Sequence, residues 1–425
     1  MTLRDLSLFG LVGVLIVLTG VMQSWNLALQ VLNMGLISAI MALGVNLQWG
    51  FAGLFNVGVM GFVALGGLAV ALTAMPPVAE AWAVGGWRIL LALAIGAATV
   101  AAAVAAWATR HAKRGWIVAA IVLIGFVLFR AVFDPARDAV EAVNPALQGN
   151  LGGLGLPVLI AWPVGGLLAA GAAWAIGKTA LGLRSDYLAI ATLGIAEIII
   201  AVMKNEDWMA RGVKNVIGIP SPLPTAYELQ QSADFVARFS DPVTASTISV
   251  KLGYALLFTA VLVLILVLMQ LALHSPWGRM MRAIRDNETA AEAMGKDVTR
   301  RHLQVFVLGS AICGIAGAMM TTLDGQLVPG NYQPLRFTFL IWVMVIVGGS
   351  GNSYGAVLGG FLIWFLWVQV EPVGQWLIGL LTSGLPEGAL KSHLIDSAAY
   401  MRLFTMGVLM LIVLRFSPRG LIPER

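Results

Sequence analysis

Charge is what this sequence has least of. Lys and Arg number 26 and Asp and Glu 21 among 425 residues, 11% in all, where soluble domains carry about 25%. AVILMFWYC residues make up 59% and mean hydropathy is +0.88. The remainder cannot clothe a water-soluble surface, so soluble enzymes and disordered chains are excluded. Cysteine is nearly missing too: Cys313 stands alone inside an apolar run, which forbids an internal disulfide and predicts a buried free thiol. The four histidines, at 111, 274, 302 and 393, are scattered at the ends of apolar runs, and no metal site is expected from them. The net charge of +5 and pI near 9.5 do not signal nucleic-acid binding, because the basic residues fall in short stretches between apolar runs.

What fills the chain is hydrophobic runs of the roughly 20 residues that a bilayer-crossing helix needs. They lie at 6–24, 27–49, 51–75, 89–108, 115–133, 157–176, 187–203, 251–273, 303–322 and 354–370. Two shorter runs, 337–350 and 400–415, bring the expectation to ten to twelve spans: an all-α polytopic membrane bundle, one transmembrane domain over 1–425. Gly50, Gly53, Gly58 and Gly61 interrupt the third run around Asn56 and predict a broken or re-entrant helix. Arg4 before the apolar stretch 6–21 resembles a signal peptide, but Val21-Met22-Gln23-Ser24-Trp25 offers no small-x-small cleavage site, so an uncleaved first span is expected.

Basic residues set the orientation. Arg110, Lys113 and Arg114 crowd one loop, Lys178 and Arg184 another, and Arg279, Arg282, Arg285, Lys296, Arg300 and Arg301 the loop 274–302. The positive-inside rule makes these loops cytoplasmic. Alternation then puts 134–152 and the polar segment 204–250 outside, and both termini inside. The outer segment begins with Lys204, Glu206, Asp207, Arg211 and Lys214, a mixed-charge surface suited to a soluble partner.

Ser275-Pro276 followed by Trp277, Met280, Met281, Ile284, Ala291 and Met294, with Gly295 closing, predicts an amphipathic cytoplasmic helix. Its opposite face mixes Arg279, Arg282, Arg285, Asp286 and Glu292, which favours a protein partner over a lipid surface. Small residues at Ala290, Ala291 and Gly295 allow close seating in a groove, while Arg285 and Glu292 can align the helix. Glu197 stands roughly 15 Å along its span from Tyr187 at helical rise, and an acid at that depth is expected to be paired, protonated or turned toward a polar cavity. Arg130, near a span end, is expected to snorkel. The rows Ser310, Gly314, Ala318 and Gly309, Cys313, Gly317 predict close helix contact.

The run 275–319 resembles the cytoplasmic loop and following span of the LivM-type permease subunits of branched-chain amino acid ABC importers. Three further blocks agree in order: Ser185-Asp186-Tyr187-Leu188-Ala189-Ile190-Ala191-Thr192-Leu193; Val347-Gly348-Gly349-Ser350-Gly351-Asn352 through Gly355 to Gly360; and Ser417-Pro418-Arg419-Gly420-Leu421. Thr289-Ala290-Ala291 and Gly295 match the spacing of the permeases' Glu-Ala-Ala-x-x-x-Gly signature, with Thr289 in place of Glu. Where these permeases usually read Thr-Gly-Gly-x-Asn-Gly-Ile, this chain reads Ala210-Arg211-Gly212-Val213-Lys214-Asn215-Val216-Ile217-Gly218-Ile219.

The resemblance implies an inner-membrane heterodimer with a second permease. Two cytoplasmic ATPase subunits would bind ATP and Mg, and a periplasmic binding protein would deliver a branched-chain or related amino acid. It implies ATPase coupling through Arg282, Arg285, Thr289, Ala290, Ala291, Glu292 and Gly295, and a substrate path near Asn56, Tyr187, Thr192 and Glu197. No cofactor and no catalysis by this chain are expected, and the cargo stays open, since urea and short amides pass through similar permeases. Two motifs point elsewhere. Gly177-Lys178-Thr179 resembles the end of a phosphate-binding loop, but Ala172 occupies the position of its first glycine, inside an apolar run. Gly348-Gly349-Ser350-Gly351 resembles the Gly-x-Ser-Gly of rhomboid-like intramembrane serine proteases, but no predicted span holds a histidine base for Ser350.

Overall fold

In the computed structural model, residues 3–109, 113–145, 149–183, 185–383, 388–397 and 400–424 are described. The apolar runs become helices α1 Leu3–Met22, α2 Trp25–Gln48, α3 Val59–Ala74, α4 Trp87–Ala108, α5 Arg114–Glu141, α6 Val158–Ala180, α7 Ser185–Asn205 and α8 Pro242–His274. The segment after α8 forms α9 Pro276–Asp286 and α10 Glu288–Ala293, and the chain continues as α11 Val298–Asp324, α12 Pro334–Gly348, α13 Ser353–Thr382 and α14 Met401–Phe416. Nine helices among the described residues are long and apolar enough to cross a membrane. α3, α12 and α14 are the shorter ones.

Several boundaries differ from the expected ones, each for a local reason. The third run is helical only from Val59, because residues 49–58 leave the helix. α5 continues through Pro135 to Glu141, eight residues past the expected end and into the stretch read as an outer loop. There Arg130 pairs with Asp134 at 2.7 Å, one turn on, so the charges that ended the apolar run do not end the helix. α8 starts at Pro242, with Asp241 accepting a hydrogen bond from the Thr244 N–H and its carboxyl held below the usual range by Thr244. α13 runs on through Pro372 to Thr382. After Pro220, Pro222 and Pro224, a capping box between Thr225 and Glu228 opens a short helix, Ala226–Gln231. Val216–Ile217 pairs antiparallel with Gln326–Leu327, tying the polar segment after α7 to the α11–α12 connection.

The core gathers α2, α3, α6, α11, α12 and α13, with α8 against α2. Glycines set the spacing. A Cβ on Gly44 would lie 2.6 Å from Cys313 Sγ, and one on Gly314 would lie 2.5 Å from the Gly165 carbonyl oxygen, so the backbones of α2, α11 and α6 meet at distances only glycine permits. Cys313 is buried there as a free thiol. The α4–α5 hairpin stands apart. Its own small cluster centres on Ile89, Ala92, Phe133 and Ala136, and Trp208 joins it to the rest, with its ring 5.6 Å from Phe133.

Candidate functional site

α2 ends where its own amides turn inward. Asn46 and Gln48 are buried, Gly53 takes φ +72°, and the Leu54 N–H reaches back to the Gln48 carbonyl at 2.9 Å. Irregular backbone inside a membrane bundle persists only where protein groups satisfy it, and here they do. Val57 N–H donates to Thr192 Oγ1 at 3.2 Å, Gly58 N–H to Asn56 Oδ1 at 2.9 Å, and Met60 N–H to Thr338 Oγ1 at 3.4 Å. Asn56 Nδ2 donates to Gln48 Oε1 at 2.9 Å, and Trp342 Nε1 to the Asn56 carbonyl at 3.0 Å. Gln48 Nε2 in turn donates to Phe306 O at 2.9 Å and Ser310 Oγ at 3.1 Å. The 49–58 break is therefore a polar junction of α2, α3, α7, α11 and α12.

The segment 275–295, read in sequence as an amphipathic docking segment, reaches the same junction. Instead of one helix from Ser275 to Gly295, it forms two, because Asn287 leaves the helical region and caps the second by accepting from the Ala290 N–H. Ser275 caps the first, and Gly278, Met281 and Ile284 bury its inner face. Arg285 Nη1 donates to the Gly50 carbonyl and lies 2.9 Å from Glu424 Oε2. Burial alone would lower its pKa, but Glu424 and Asp286 hold the guanidinium above its usual value. Around it, Gly351 N–H donates to Asn46 Oδ1 at 2.9 Å, and Leu421 and Ile422 donate to the carbonyls of Val347 and Gly348. Arg282 Nη2 is spent on the Leu273 carbonyl at 3.0 Å.

On the other side of the break, a cavity of about 260 Å³ opens between α2, α3, α11, α12 and α13, with Met60 and Trp364 in its walls. Asp324 and Arg336 line it at the ends of α11 and α12 that lie away from the docking segment.

The break is thus tied to an amphipathic segment on one side and borders a cavity on the other, within a polytopic bundle. The family model described as branched-chain amino acid transport system, permease component, matches residues 27–136 and 139–414. The chain belongs to this permease family. It is 29% identical over 230 residues to the high-affinity branched-chain amino acid transport system permease protein LivM of Escherichia coli strain K12, 53% of each chain. It is 26% identical over 243 residues to the probable LivM of Methanocaldococcus jannaschii, 57% of this chain and 61% of that one. It is 28% identical over 195 residues to the xylose transport system permease protein XylH of Escherichia coli strain K12, 44% of this chain and 47% of that one. The chain spans about half the length of the curated LivM relatives it matches. No solved structure matches it. Membership makes this a multi-pass membrane protein of a permease-component family.

The permease brings some of the expected residues together and separates others. Asn56 and Thr192 are buried and meet across Val57, whereas Tyr187 and Glu197 are exposed on α7. Glu197 has no hydrogen-bond or ion-pair partner among the described residues. α7 buries Leu188, Thr192, Ala196, Ile200 and Met203 instead, so Glu197, expected to be paired, protonated or turned toward a polar cavity, points out of the chain. In the docking segment, Thr289, Ala290 and Glu292 are exposed, Ala291 is buried, and Gly295 takes φ +77°. Arg282 and Arg285, expected on the partner-facing side, turn into the bundle.

Sequence reasoning missed Asn46, Gln48, Thr338 and Glu424. Two amides within three residues of an apolar run, just before Gly50, are the signal that was there for Asn46 and Gln48. The two misleading motifs are also placed. Gly177-Lys178-Thr179 forms the last turn of α6, with Lys178 Nζ over the Trp174 ring at 4.4 Å. Ser350 shows no histidine partner among the described residues: His274 is bonded to the Gln270 carbonyl, and His302 sits within the first turns of α11.

Proposed function

We propose that this permease is the LivM-type half of an ABC importer, moving branched-chain or related amino acids inward by alternating access. The docking-segment end and both termini face the cytoplasm of the inner membrane. There two partner ATPases bind ATP and Mg and grip the exposed face of α9 and α10 through Thr289, Ala290 and Glu292. A second permease completes the path, and a periplasmic binding protein docks at the opposite end. The observation that carries the reading is Arg285, which joins the docking segment to the Gly50 carbonyl at the break. A rigid shift of α9 moves the break, and with it α7, α11 and α12 through Thr192, Gln48 and Trp342. An exposed mid-span acid in lipid is expensive, so Glu197 marks the face that meets the second permease.

The test is the whole complex in proteoliposomes with its binding protein. Arg285→Gln should leave the ATPases bound and hydrolysing while leucine uptake falls about tenfold or more, a loss of transition-state coupling of more than about 1.4 kcal/mol. Gly295→Arg, at a position whose φ suits only glycine or asparagine, should leave the chain folded and abolish ATPase co-purification, while Gly295→Asn should retain it. Uptake of urea or xylose in place of leucine would reassign the cargo. Unchanged leucine uptake in the Arg285 variant would remove the break from the coupling route.

A further inference from the structure

The cavity beyond the break is lined by one acid and one base, both exposed. Asp324 and Arg336 line the same 260 Å³ space, and among the described residues neither has an ion pair or a hydrogen bond. Arg336 is nonetheless held in place: its guanidinium carbon sits 5.0 Å from the centroid of the Trp367 ring and 5.8 Å from that of Phe337. Ring faces fix a cation without using its N–H donors. The guanidinium is thus positioned with its hydrogen-bonding fork unspent.

The walls are of a different kind. Met34, Met41, Met60, Met320 and Met344 all line the cavity, five of the chain's 18 methionines. Thioether side chains make an apolar surface that adapts to branched shapes. Apart from Ser38, the polar side chains sit with the two charges in the connection between α11 and α12, at Asn331 and Gln333. A sugar, with a hydroxyl on nearly every carbon, would leave most of its groups facing methionine, each losing water without a replacement. Asp324 and Arg336 are both exposed, and their opposite charges on one cavity complement a ligand that carries one charge of each sign. The volume lies just below the range for drug-sized ligands, which selects a small molecule.

We propose that this cavity is a subsite for a zwitterionic amino acid with an apolar side chain. Its α-carboxylate lies on Arg336, its α-ammonium on Asp324, and its side chain among the methionines. The proposal rests on the amino-acid reading above and names the residues that would impose it. It also connects occupancy to coupling. Met60 lines the cavity, its N–H is held by Thr338, and it stands two residues beyond Gly58, at the edge of the break that Arg285 grips from the other side.

The experiment is equilibrium binding of radiolabelled leucine to the purified, ATP-free full complex without binding protein. The competitors are isoamylamine, which is leucine without its carboxylate, 4-methylpentanoate, which is leucine without its ammonium, and xylose. The wild type should bind leucine, with both analogues at least about tenfold weaker and xylose not competing. Asp324→Asn should weaken leucine about tenfold and bring it level with 4-methylpentanoate, while Asp324→Glu recovers most of the loss. Arg336→Gln should bring leucine level with isoamylamine. Co-purification of the partner subunits with each variant reports that it has folded. Variants that bind leucine like the wild type, or that lose leucine and both analogues in parallel, overturn the subsite and leave the amino-acid reading standing. A wild type that binds xylose and not leucine overturns both.

Discussion

α2 and the α4–α5 hairpin are both membrane-length and apolar, yet they are built on opposite plans. In the most apolar stretch of α2, 78% of residues are buried, against 11% in the stretch Ala79–Ala108 and in α5. The buried helix is the less apolar one: it carries Asn33, Ser38, Asn46 and Gln48, all buried, while α4 and α5 show Leu, Val, Phe and Trp to their surroundings. In water the reverse would hold. In lipid there is no hydrophobic force between helices, so contact is made by small residues that let backbones approach and by polar groups that bond across. Between these two regions, burial follows the buried amides and not hydrophobicity.

The sharpest way to break that comparison is to add bulk at a core crossing. Gly314→Leu would drive a side chain toward the Gly165 carbonyl and the Ala169 methyl, 2.5 and 2.6 Å from the Cβ position. It should eliminate nearly all folded protein, as read by detergent size-exclusion of a fluorescent fusion. Gly115→Leu in the hairpin, with nothing within 4 Å of its Cβ position, should leave the peak unchanged. Equal losses would mean that the hairpin is packed as tightly as the core.

A smaller effect is expected from a polar deletion. Gln48→Leu strips Asn56 of its acceptor and the Phe306 carbonyl and Ser310 of their donor. It should destabilise the bundle by about 1–3 kcal/mol, lowering the melting temperature and slowing transport together. Thr99→Val in the hairpin removes only a hydroxyl bonded to the Ile95 carbonyl of its own helix and should shift stability by less than about 0.5 kcal/mol. The smallest effect on the chain alone belongs to Glu197→Leu, an exposed position whose loss should also leave stability within about 0.5 kcal/mol. Its consequence should appear instead as weaker capture of the tagged second permease. Unchanged capture would separate Glu197 from that interface.

The same contrast explains what was legible in the sequence. Run length and hydropathy locate the nine membrane-length helices and the shorter α3 and α12 among the described residues, because a bilayer imposes a length on any segment that crosses it. The glycines around Asn56 mark the break, and the rows on α11 mark the closest packing, since small side chains carry that information directly. The ends were harder to read. An apolar run stops before Asp134 or Glu371, but a helix continues where such charges find partners, as Asp134 does with Arg130 and Glu371 with Arg402. Facing was harder still. Depth along a span does not give direction: Glu197 is exposed, while Thr192 and Ala196 lie on the face that α7 turns to α3. Asp324 and Arg336 look in sequence like ordinary span-end charges; only the fold puts them in one cavity. The docking segment was legible as an amphipathic surface, but amphipathicity does not reveal that Gly50 and Glu424 lie beneath Arg285.

Cys313 has a practical consequence. The chain's one thiol is walled in between α2 and α11 and is 1% exposed. Reagents that need solvent contact will pass it by, so the natural sequence already serves as an unreactive background for labelling. A cysteine introduced at Met294, 80% exposed beside Gly295, and another at Leu335, 65% exposed at the mouth of α12, would carry a pair of spectroscopic reporters. Together they span the distance from the docking segment to the cavity, with no native residue to remove first.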